Sequence, residues 1–368
     1  MYRIYDRART RGDVTRDLAA LRDTMAERRA AYDDQRRRTA ALIESRFDEE
    51  VRRVFNSLQG ELSAGLDRLD RDLADLFHVM PGRKVNLSKR PTAWAGTPEM
   101  RQLKGDELKN HAKDYIREKV ARLSEAQEML WASDTHSVLV ILQAMDAAGK
   151  DGVINHVMSG LNPQGCQVHS FKQPTSEELD HTFLWRAMKA VPERGKIVIF
   201  NRSHYEDVLV VKVHPEILER SKLSNGKRGE AFWNARYDDI NTFERHLARN
   251  GTLILKFFLH ISKGEQKKRF MERLDTPEKH WKFSLGDLSE RGFWKQYQQA
   301  YEDALRATST PWAPWSVIPA DNKWITRSVV ANLMAWSIRS LNLRFPSSSP
   351  DYRRLLAQAK RKLLAESP

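Results

Sequence analysis

From Ser137 onward the chain alternates short apolar runs with longer amphipathic stretches, and this alternation limits the possible folds more than any other feature. The apolar runs have the length of strands, and the stretches between them have the length of helices. Strands that alternate with helices favour a mostly parallel sheet covered by helices on both faces. We therefore predict an α/β fold with five strands. These are Val138–Gln143, Gln167–Phe171, Ile197–Phe200, Leu253–His260 and Trp315–Pro319.

The amphipathic stretches between the strands predict the helical layers of this fold. A further helix, rich in Lys and Glu, is predicted before the first strand, from about Gly105 to Trp131. The remaining predicted helices are Val153–Met158, Ser176–Ala190, Tyr237–Ala248, Lys263–Leu274, Phe293–Ala307 and Lys323–Leu343.

Residues 14 to about 78 have a different pattern. Apolar residues recur every three or four positions between Val51 and Leu76, separated by Arg and Asp. This heptad-like seam is typical of packed helices. It favours equally a coiled coil between subunits and a helical appendage packed on the main domain. We divide the chain into a helical extension or oligomerisation arm (1–80), a main domain (81–345) and a basic C-terminal tail (346–368).

The formal charge of +13 lies entirely outside the helical extension, because residues 1–80 contain 16 basic and 16 acidic side chains. Such an excess suggests a polyanionic partner: nucleic acid, nucleotide, anionic membrane or polyphosphate. No apolar run approaches the roughly 18–20 residues that span a bilayer. The single cysteine, Cys166, excludes an intrachain disulfide. We expect a cytoplasmic protein without a secretory signal and without a membrane partner.

The strongest chemical signal is the segment from Leu139 to Gly152. An apolar strand leads into a turn of small residues, then Gly149-Lys150, then a predicted helix. Backbone N–H groups and a helix N-terminus can surround phosphate oxygens at such a junction, with Lys150 as the mobile cation. The alternative is a plain strand–turn–helix junction with a chance Gly-Lys. The residues expected to contact phosphate beside Lys150 are Ala147, Ala148, Gly149, Asp151 and Gly152.

This segment departs from the Walker A pattern G-x-x-x-x-G-K-[ST] at two positions. Ala144 replaces the first glycine, and Asp151 stands where Ser or Thr would hold Mg²⁺. The loop contains a carboxylate of its own, Asp146. An anionic side chain directed at phosphates requires a cation between them. We therefore interpret Asp146 as a ligand of Mg²⁺, with Mn²⁺ as the alternative ion.

The segment Gln143–Gly152 resembles the phosphate-binding loop of the polyphosphate kinase 2 family, whose members are P-loop kinases related in fold to thymidylate kinase. The resemblance continues in order over about residues 80–345. It rests further on Asn162-Pro163, Ser170–Thr175, Phe183–Arg186, Phe200–Leu209, Leu255–Ser262, Arg273–Phe283 and Ala313–Ala320.

The resemblance implies a three-layer α/β/α P-loop kinase with a helical lid at about residues 263–290. It implies Mg²⁺-dependent, reversible phosphoryl transfer from inorganic polyphosphate to AMP or ADP. The expected partners are therefore polyphosphate and adenine nucleotides rather than nucleic acid, and we expect a homo-oligomer.

A second cluster of polar residues, Asn201 to Asp207, follows the third predicted strand. Parallel sheets bind ligands at the carboxyl ends of their strands, so these side chains are expected near Lys150. Arg202 would bridge phosphate oxygens and stabilise the transferred group. Glu206 and Asp207 are both candidates for the metal, and the sequence does not choose between them. A helix N-cap pair is the alternative for these two acidic residues.

In much of the family this cluster follows an Asp-Arg-Ser-Trp-Tyr-Asn pattern. Here Asn201 stands in place of the first Asp, and Glu206 in place of the Asn. The variant is similar to the class III subgroup, which is associated with phosphorylation of both AMP and ADP.

The family resemblance supports a mobile lid, and cations there would close over phosphates. Without the resemblance, this charge run would be interpreted as a solvated face. Lys256, inside the fourth strand, is expected to reach the site rather than the core. Phe171, Pro174, Trp185 and Arg186 are expected to hold the nucleotide, although each alone is typical of a core residue. The histidines are interpreted as structural. The lid residues are Arg269, Arg273, Lys279, Trp281 and Lys282.

Two other functions are compatible with parts of the sequence. A nucleoside monophosphate kinase that uses ATP would share the loop and the sheet. A non-enzymatic nucleic-acid-binding module would explain the basic charge, but it gives the acidic residues Asp146, Glu206 and Asp207 no purpose.

Overall fold

The computed structural model describes residues 74–94, 105–220 and 229–366, together with isolated helical positions between 24 and 34. Nearly all of the heptad-like seam lies outside the described residues, so the coiled coil and the packed appendage both stay predictions. The chain divides into two compact units. The first comprises Met1–His78 and Trp94–Asp114, and within it Phe77 packs edge to face on Trp94. The second comprises Val79–Ala93 and Tyr115–Pro368.

The second unit is built on a five-stranded sheet in the order β2-β3-β1-β4-β5. All four strand pairings are parallel, so the predicted α/β fold is confirmed and the sheet is parallel throughout. The strands are β1 (Ser137–Ala144), β2 (Cys166–Ser170), β3 (Ile197–Asn201), β4 (Thr252–His260) and β5 (Trp315–Pro319).

The central strand β1 is buried along its whole length, as its run of Val, Leu and Ile residues requires. Its neighbours are β3 and β4, with Val140 opposite Ile199 on one side and Leu255 on the other. The chain passes from β1 to β2 across β3, and from β3 to β4 across β1. The connections therefore run in opposite directions along the sheet on the two sides of β1. At such a switch point a crevice for ligands forms at the carboxyl ends of the strands.

Helices cover both faces of this sheet. The most buried is the helix after β5, where Asn322 caps the first turn by accepting hydrogen bonds from the N–H groups of Trp324 and Ile325. The helices are α1 (Gly105–Ser133), α2 (Lys150–Met158), α3 (Ser176–Leu179), α4 (Trp185–Met188), α5 (Val210–Val213), α6 (Glu216–Arg220), α7 (Glu230–Arg249), α8 (Lys263–Leu274), α9 (Leu285–Glu290), α10 (Trp294–Thr308), α11 (Lys323–Arg339) and α12 (Pro350–Ala365).

The single helix predicted over Ser176–Ala190 is wrong. Two one-turn helices, α3 and α4, occupy this segment. A capping box between Thr175 and Glu178 starts α3. The chain then turns so that the His181 ring stacks on Trp185 at 3.9 Å, and Thr182 accepts the hydrogen bond of the Trp185 N–H. The local polar residues thus compete with a continuous helix for the backbone groups.

The C-terminal segment forms an exposed helix, α12, which begins with Ser349 as N-cap and Pro350 in its first turn. None of the described helices combines the length and the apolar character that crossing a bilayer needs.

Candidate active site

The phosphate-binding loop connects the end of β1 at Ala144 to the start of α2 at Lys150. Gly149 caps α2 in the left-handed conformation with φ of +107°, which side chains rarely adopt. Ala147 is also left-handed, with φ of +59°. The first N–H groups of α2 have no acceptor within the helix. The loop thus presents backbone donors and a positive helix end at the carboxyl edge of the sheet, as phosphate binding requires.

Lys150 lies over this loop, with its Nζ 2.9 Å from the carbonyl oxygen of Ala144. Burial lowers its pKa, the charge of Arg202 lowers it further, and Asp146 and Glu206 oppose both effects. The ammonium group is therefore bonded to a carbonyl oxygen and has two further N–H donors for phosphate oxygens.

Arg202 joins the carboxylates of the loop and of the second cluster. Its Nη2 lies 3.1 Å from Oδ1 of Asp146, and its Nη1 lies 3.2 Å from Oε2 of Glu206. The charge of Glu206, followed by that of Asp146, raises the pKa of Arg202. The Arg202 side chain is 41% exposed, so it can also contact a bound anion. We call Asp146, Arg202 and Glu206 the site cluster.

The backbone places Arg202 at the crevice. Arg202 follows β3 in the left-handed conformation with φ of +63°, and its N–H donates to the carbonyl of Leu142 on β1. A short 3-10 turn, His204–Val208, then begins with the Ser203 hydroxyl accepting from the N–H of Tyr205. This turn directs Glu206 back toward Arg202.

Glu206 and Asp207, which the sequence could not separate, point to different places. Glu206 lines the crevice together with Asp146 and Arg202. The Asp207 carboxylate lies 3.5 Å from Arg236 and 3.8 Å from Arg186, and burial raises its pKa to about 6. This geometry favours Glu206 as the metal ligand, because two arginines hold the Asp207 carboxylate away from the residues that line the crevice, and a metal role for Asp207 stays a prediction.

The site cluster is suited to a magnesium ion that is shared with substrate. Within the described ranges no three His, Cys, Asp or Glu side chains converge as a metal-binding group. Kinase-type Mg²⁺ sites use only one or two carboxylates and take other ligands from water and phosphates. Asp146 and Glu206 lie on either side of one guanidinium, each with one oxygen bonded to it. The two carboxylates thus fit a shared ion rather than a closed protein cage.

Comparison with known proteins identifies the family. Residues 107–345 match the family model described as Polyphosphate kinase 2 (PPK2). The chain belongs to the polyphosphate kinase 2 family. The ADP-polyphosphate phosphotransferase of Rhodopseudomonas palustris is 50% identical over 292 residues, covering 78% of this chain and 97% of that protein.

Two further relatives extend the comparison. The AMP/ADP-polyphosphate phosphotransferase of Meiothermus ruber is 51% identical over 225 residues, covering 61% of this chain and 80% of that protein. The crystal structure of polyphosphate kinase 2 from Arthrobacter aurescens is similar with a TM-score of 0.69 and 40% identity. It covers 80% of this chain and 97% of that chain. This likeness confirms the predicted P-loop kinase fold.

The other expected phosphate contacts lie at the same edge of the sheet. The Asn201 side chain donates to Oδ1 of Asp151 at 3.0 Å, which ties the end of β3 to the first turn of α2. Gly152 faces α11, where an added Cβ would lie 3.1 Å from Nη2 of Arg327. These residues set the spacing between the loop and its neighbours.

Arg269 does not act as a free lid cation, which corrects the prediction. Its side chain is 4% exposed and lies beneath the loop. Nη1 donates to the carbonyls of Ala147 and Ala148, and Nη2 donates to those of Ala320 and Asp321. The planar fork of the guanidinium suits this set of carbonyls, and it braces the loop from below.

The rest of the expected lid comprises α8, a 3-10 turn at Pro277–Lys282, and α9. Arg273 is tied down, with Nη1 3.2 Å from the carbonyl of Lys282 and 3.6 Å from Asp287. Lys279, Trp281 and Lys282 are exposed, and 78% of Trp281 is accessible. Closure of this segment over phosphates stays a prediction.

Lys256 lies in the core, so its expected role as a direct contact is corrected. It is opposite Ile141 of β1, three residues before the edge where β1 ends. Its Nζ donates to Glu244, Tyr205 and the carbonyl of Thr308. A mid-strand position directed at the helical layer cannot reach the crevice.

A second cavity lies at the carboxyl end of β2 and brings together two of the four predicted nucleotide contacts. Phe171 and Arg186 both line it, with the guanidinium 5.3 Å from the ring centroid. Arg186 also donates to the carbonyl of Lys172. Pro174 and Trp185 are not among its lining residues, and Trp185 stacks on His181 instead.

Several crevice residues were not anticipated from the sequence. The side chain of Gln266 on α8 donates to the carbonyl of Asp146, and Arg291 donates to Gln266 in turn. Tyr297 and Tyr301 line the crevice from α10. Their i, i+4 spacing, which puts both rings on one helix face, was the one available signal.

Proposed function

We propose that this chain transfers phosphoryl groups from inorganic polyphosphate to both AMP and ADP, forming ADP and ATP, and that the reaction is reversible. Phosphorylation of ADP, AMP or both by polyphosphate follows from the family and from the relatives of Rhodopseudomonas palustris and Meiothermus ruber. Use of both acceptors is supported by the Meiothermus ruber relative and by Asn201 and Glu206, which match the class III variant.

The observation that carries the mechanism is the site cluster beside Lys150 and the phosphate-binding loop. Phosphoryl transfer depends mainly on positioning and on neutralising charge on the equatorial oxygens. The loop N–H groups and Lys150 bind and orient the donor phosphate. Arg202, whose raised pKa keeps it charged, contacts the oxygens of the transferred group. The terminal phosphate of the acceptor is already ionised near neutral pH, so the chain needs no strong general base.

Asp146 and Glu206 would hold Mg²⁺ together with substrate phosphates. When bound, the ion would supply positive charge that offsets the negative charge of the phosphates. Both carboxylates already lie within 3.2 Å of Arg202, so the chain's own residues form a compact mixed-charge surface around the place of transfer.

The acceptor nucleotide is assigned to the cavity at the end of β2. Phe171 offers an apolar ring there, and Arg186 offers a cation held against that ring. This cavity and the site cluster both lie at the carboxyl edge of the sheet, which allows an acceptor phosphate to point toward Arg202.

The proposal is tested with purified full chain, long-chain polyphosphate, Mg²⁺, and AMP or ADP, with nucleotide products separated by chromatography. We expect product from both acceptors. Product from ADP alone would retain the enzyme and remove the class III assignment. Transfer that occurs only with ATP as donor would instead indicate a nucleoside monophosphate kinase.

The metal assignment is tested by comparing Glu206→Gln with its neighbour Asp207→Asn. We expect Glu206→Gln to lower kcat about 100-fold and to raise the Mg²⁺ concentration that gives half the maximal rate. Asp207→Asn should leave this Mg²⁺ requirement unchanged, because its carboxylate is held by Arg186 and Arg236. An altered Mg²⁺ requirement in Asp207→Asn alone would reverse the assignment.

A further inference from the structure

The core of the second unit contains an ion pair that touches neither cavity. Nζ of Lys256 lies 2.6 Å from Oε2 of Glu244, and both side chains are fully buried. Removing two charges from water costs free energy that their attraction only partly offsets, and apolar residues often fill such a position equally well. Packing alone therefore does not explain the pair.

The pair has a third member, Tyr205. Its hydroxyl donates to Oε1 of Glu244 at 2.7 Å and accepts from Nζ of Lys256 at 3.0 Å. Lys256 also donates to the carbonyl of Thr308 at 2.7 Å. The Tyr205 ring is fully buried and packs edge to face on Trp315. The hydroxyl is thus fixed from β4, from α7 and from the end of α10. We call Tyr205, Glu244 and Lys256 the core cluster.

Tyr205 belongs to the turn that carries Arg202 and Glu206. The same turn is tied to β1 through Ser203, whose hydroxyl accepts from Nε2 of Gln143 at 3.1 Å. Arg202 has a left-handed backbone, a conformation that persists only where the surroundings hold it. The turn therefore has two buried anchors. One, at Ser203, joins it to the strand that enters the phosphate-binding loop, and the other, at Tyr205, joins it to the core cluster.

We propose that Tyr205 and Glu244 are positioning residues for phosphoryl transfer, and that Lys256 neutralises the buried Glu244 carboxylate. Glu244 fixes the Tyr205 hydroxyl, and Tyr205 fixes the turn so that Arg202 and Glu206 face Asp146. None of the three touches substrate. The inference rests on the proposed function for the roles of Arg202 and Glu206, and it adds that their geometry is set from the core rather than from the loop.

Two double variants distinguish the hydrogen bond of the Tyr205 hydroxyl from the buried charges of Glu244 and Lys256. Glu244→Gln with Lys256→Met removes both charges but keeps an oxygen that can accept from the Tyr205 hydroxyl. Glu244→Leu with Lys256→Met removes both charges and that oxygen. Tyr205→Phe removes only the hydroxyl. Tyr237→Phe is the matched control, because this buried tyrosine of α7 bonds to Lys212 instead of the turn.

We expect kcat per folded molecule to fall about ten- to a hundredfold in Tyr205→Phe and in the Leu-containing double variant, since small displacements of catalytic groups have effects of this size. KM for polyphosphate and for nucleotide should change little, because the loop still binds phosphate. The Gln-containing double variant and Tyr237→Phe should retain kcat close to that of the unmodified chain. A purely structural role would lower the folded fraction and leave kcat per folded molecule unchanged.

The inference is overturned if Tyr205→Phe retains full kcat, or if the two double variants lose activity equally. An unmodified chain that does not use polyphosphate would refute the proposed function instead. The inference is then decided by amide hydrogen exchange of the peptide that spans residues 200–209. Exchange should be faster in Tyr205→Phe and in the Leu-containing variant and unchanged in Tyr237→Phe, and equal exchange in all three would refute the inference.

Discussion

The site cluster and the core cluster each contain a cationic side chain bonded to a carboxylate. They meet at adjacent residues of the chain, because Tyr205 belongs to the core cluster and Glu206 to the site cluster. The two clusters differ in how many N–H donors of the cation remain available to bind another group. The three N–H donors of Lys256 are all taken, by Glu244, Tyr205 and Thr308. Arg202 has five N–H donors and is 41% exposed, so it can bind a further anion. A cationic side chain can bind a ligand only where its neighbours leave some of its N–H donors unused.

The backbone explains the difference between the two clusters. Lys256 lies inside β4, opposite Ile141, and is directed into the layer formed by α7 and α10. Arg202 lies one residue beyond β3, where the strands end and the crevice opens. Position along the strand therefore decides between core and site for two residues of the same charge.

The largest effect that separates the clusters is expected from Arg202→Ala. Loss of the guanidinium should lower kcat by about 10³-fold, since it removes the main cation facing the transferred group. The melting temperature should hardly change, because the side chain is partly exposed. The control is Arg194→Ala, an exposed arginine just before β3 that bonds to the carbonyl of Thr135. Equal loss of activity in both variants would contradict the assignment.

Lys256→Met should mainly lower stability, whereas Arg202→Ala mainly lowers activity. It leaves the Glu244 carboxylate buried without its cation, and such a change costs about 3–5 kcal/mol of unfolding free energy. Urea denaturation measures this loss. Adding Glu244→Leu should restore most of the stability but lower kcat, because it removes the acceptor of the Tyr205 hydroxyl. Stability and activity would then separate in one pair of variants, and a double variant as unstable as Lys256→Met would contradict this interpretation.

The smallest effect concerns His260, a buried titratable group that bonds to the carbonyl of Leu87 rather than to a carboxylate. Burial lowers its pKa below the usual value of 6.5. Neutral His260 therefore contributes stability that is present above pH 6.5 and is lost as the pH falls through the lowered pKa. Between pH 7 and pH 5 the unmodified chain should therefore lose more unfolding free energy than His260→Gln. Equal losses of unfolding free energy in the two proteins would show that protonation of His260 does not destabilise the folded state.

Sequence periodicity was sufficient to predict the five strands of the sheet, because buried strands and amphipathic helices leave patterns that do not depend on distant contacts. It failed at Ser176–Ala190, where the capping of α3 and the stacking of His181 on Trp185 decide the backbone. The loop and Arg202 were predictable because their chemistry is local.

The direction of side chains was harder to predict. Lys256 was assigned to the site from its charge, and Arg269 was assigned to the lid from the family resemblance. The strand register directs Lys256 inward, and the carbonyls of the loop direct Arg269 inward. Glu206 and Asp207 could not be separated, because a 3-10 turn rather than a helix sets their directions. Gln266 enters the site through a hydrogen bond to a backbone oxygen, which no residue pattern reports.

The placement of β1 between β3 and β4 has a consequence for the chain during translation. All eight residues of β1 are buried, yet the strand on one side, β4, is synthesised more than a hundred residues later. At 5–20 residues per second, that interval is roughly 5–25 s. A nascent chain therefore carries its most apolar segment, and the loop attached to it, without its second neighbour for all of that time. Substitutions that weaken β4 should thus reduce yield from the ribosome before they affect the finished enzyme.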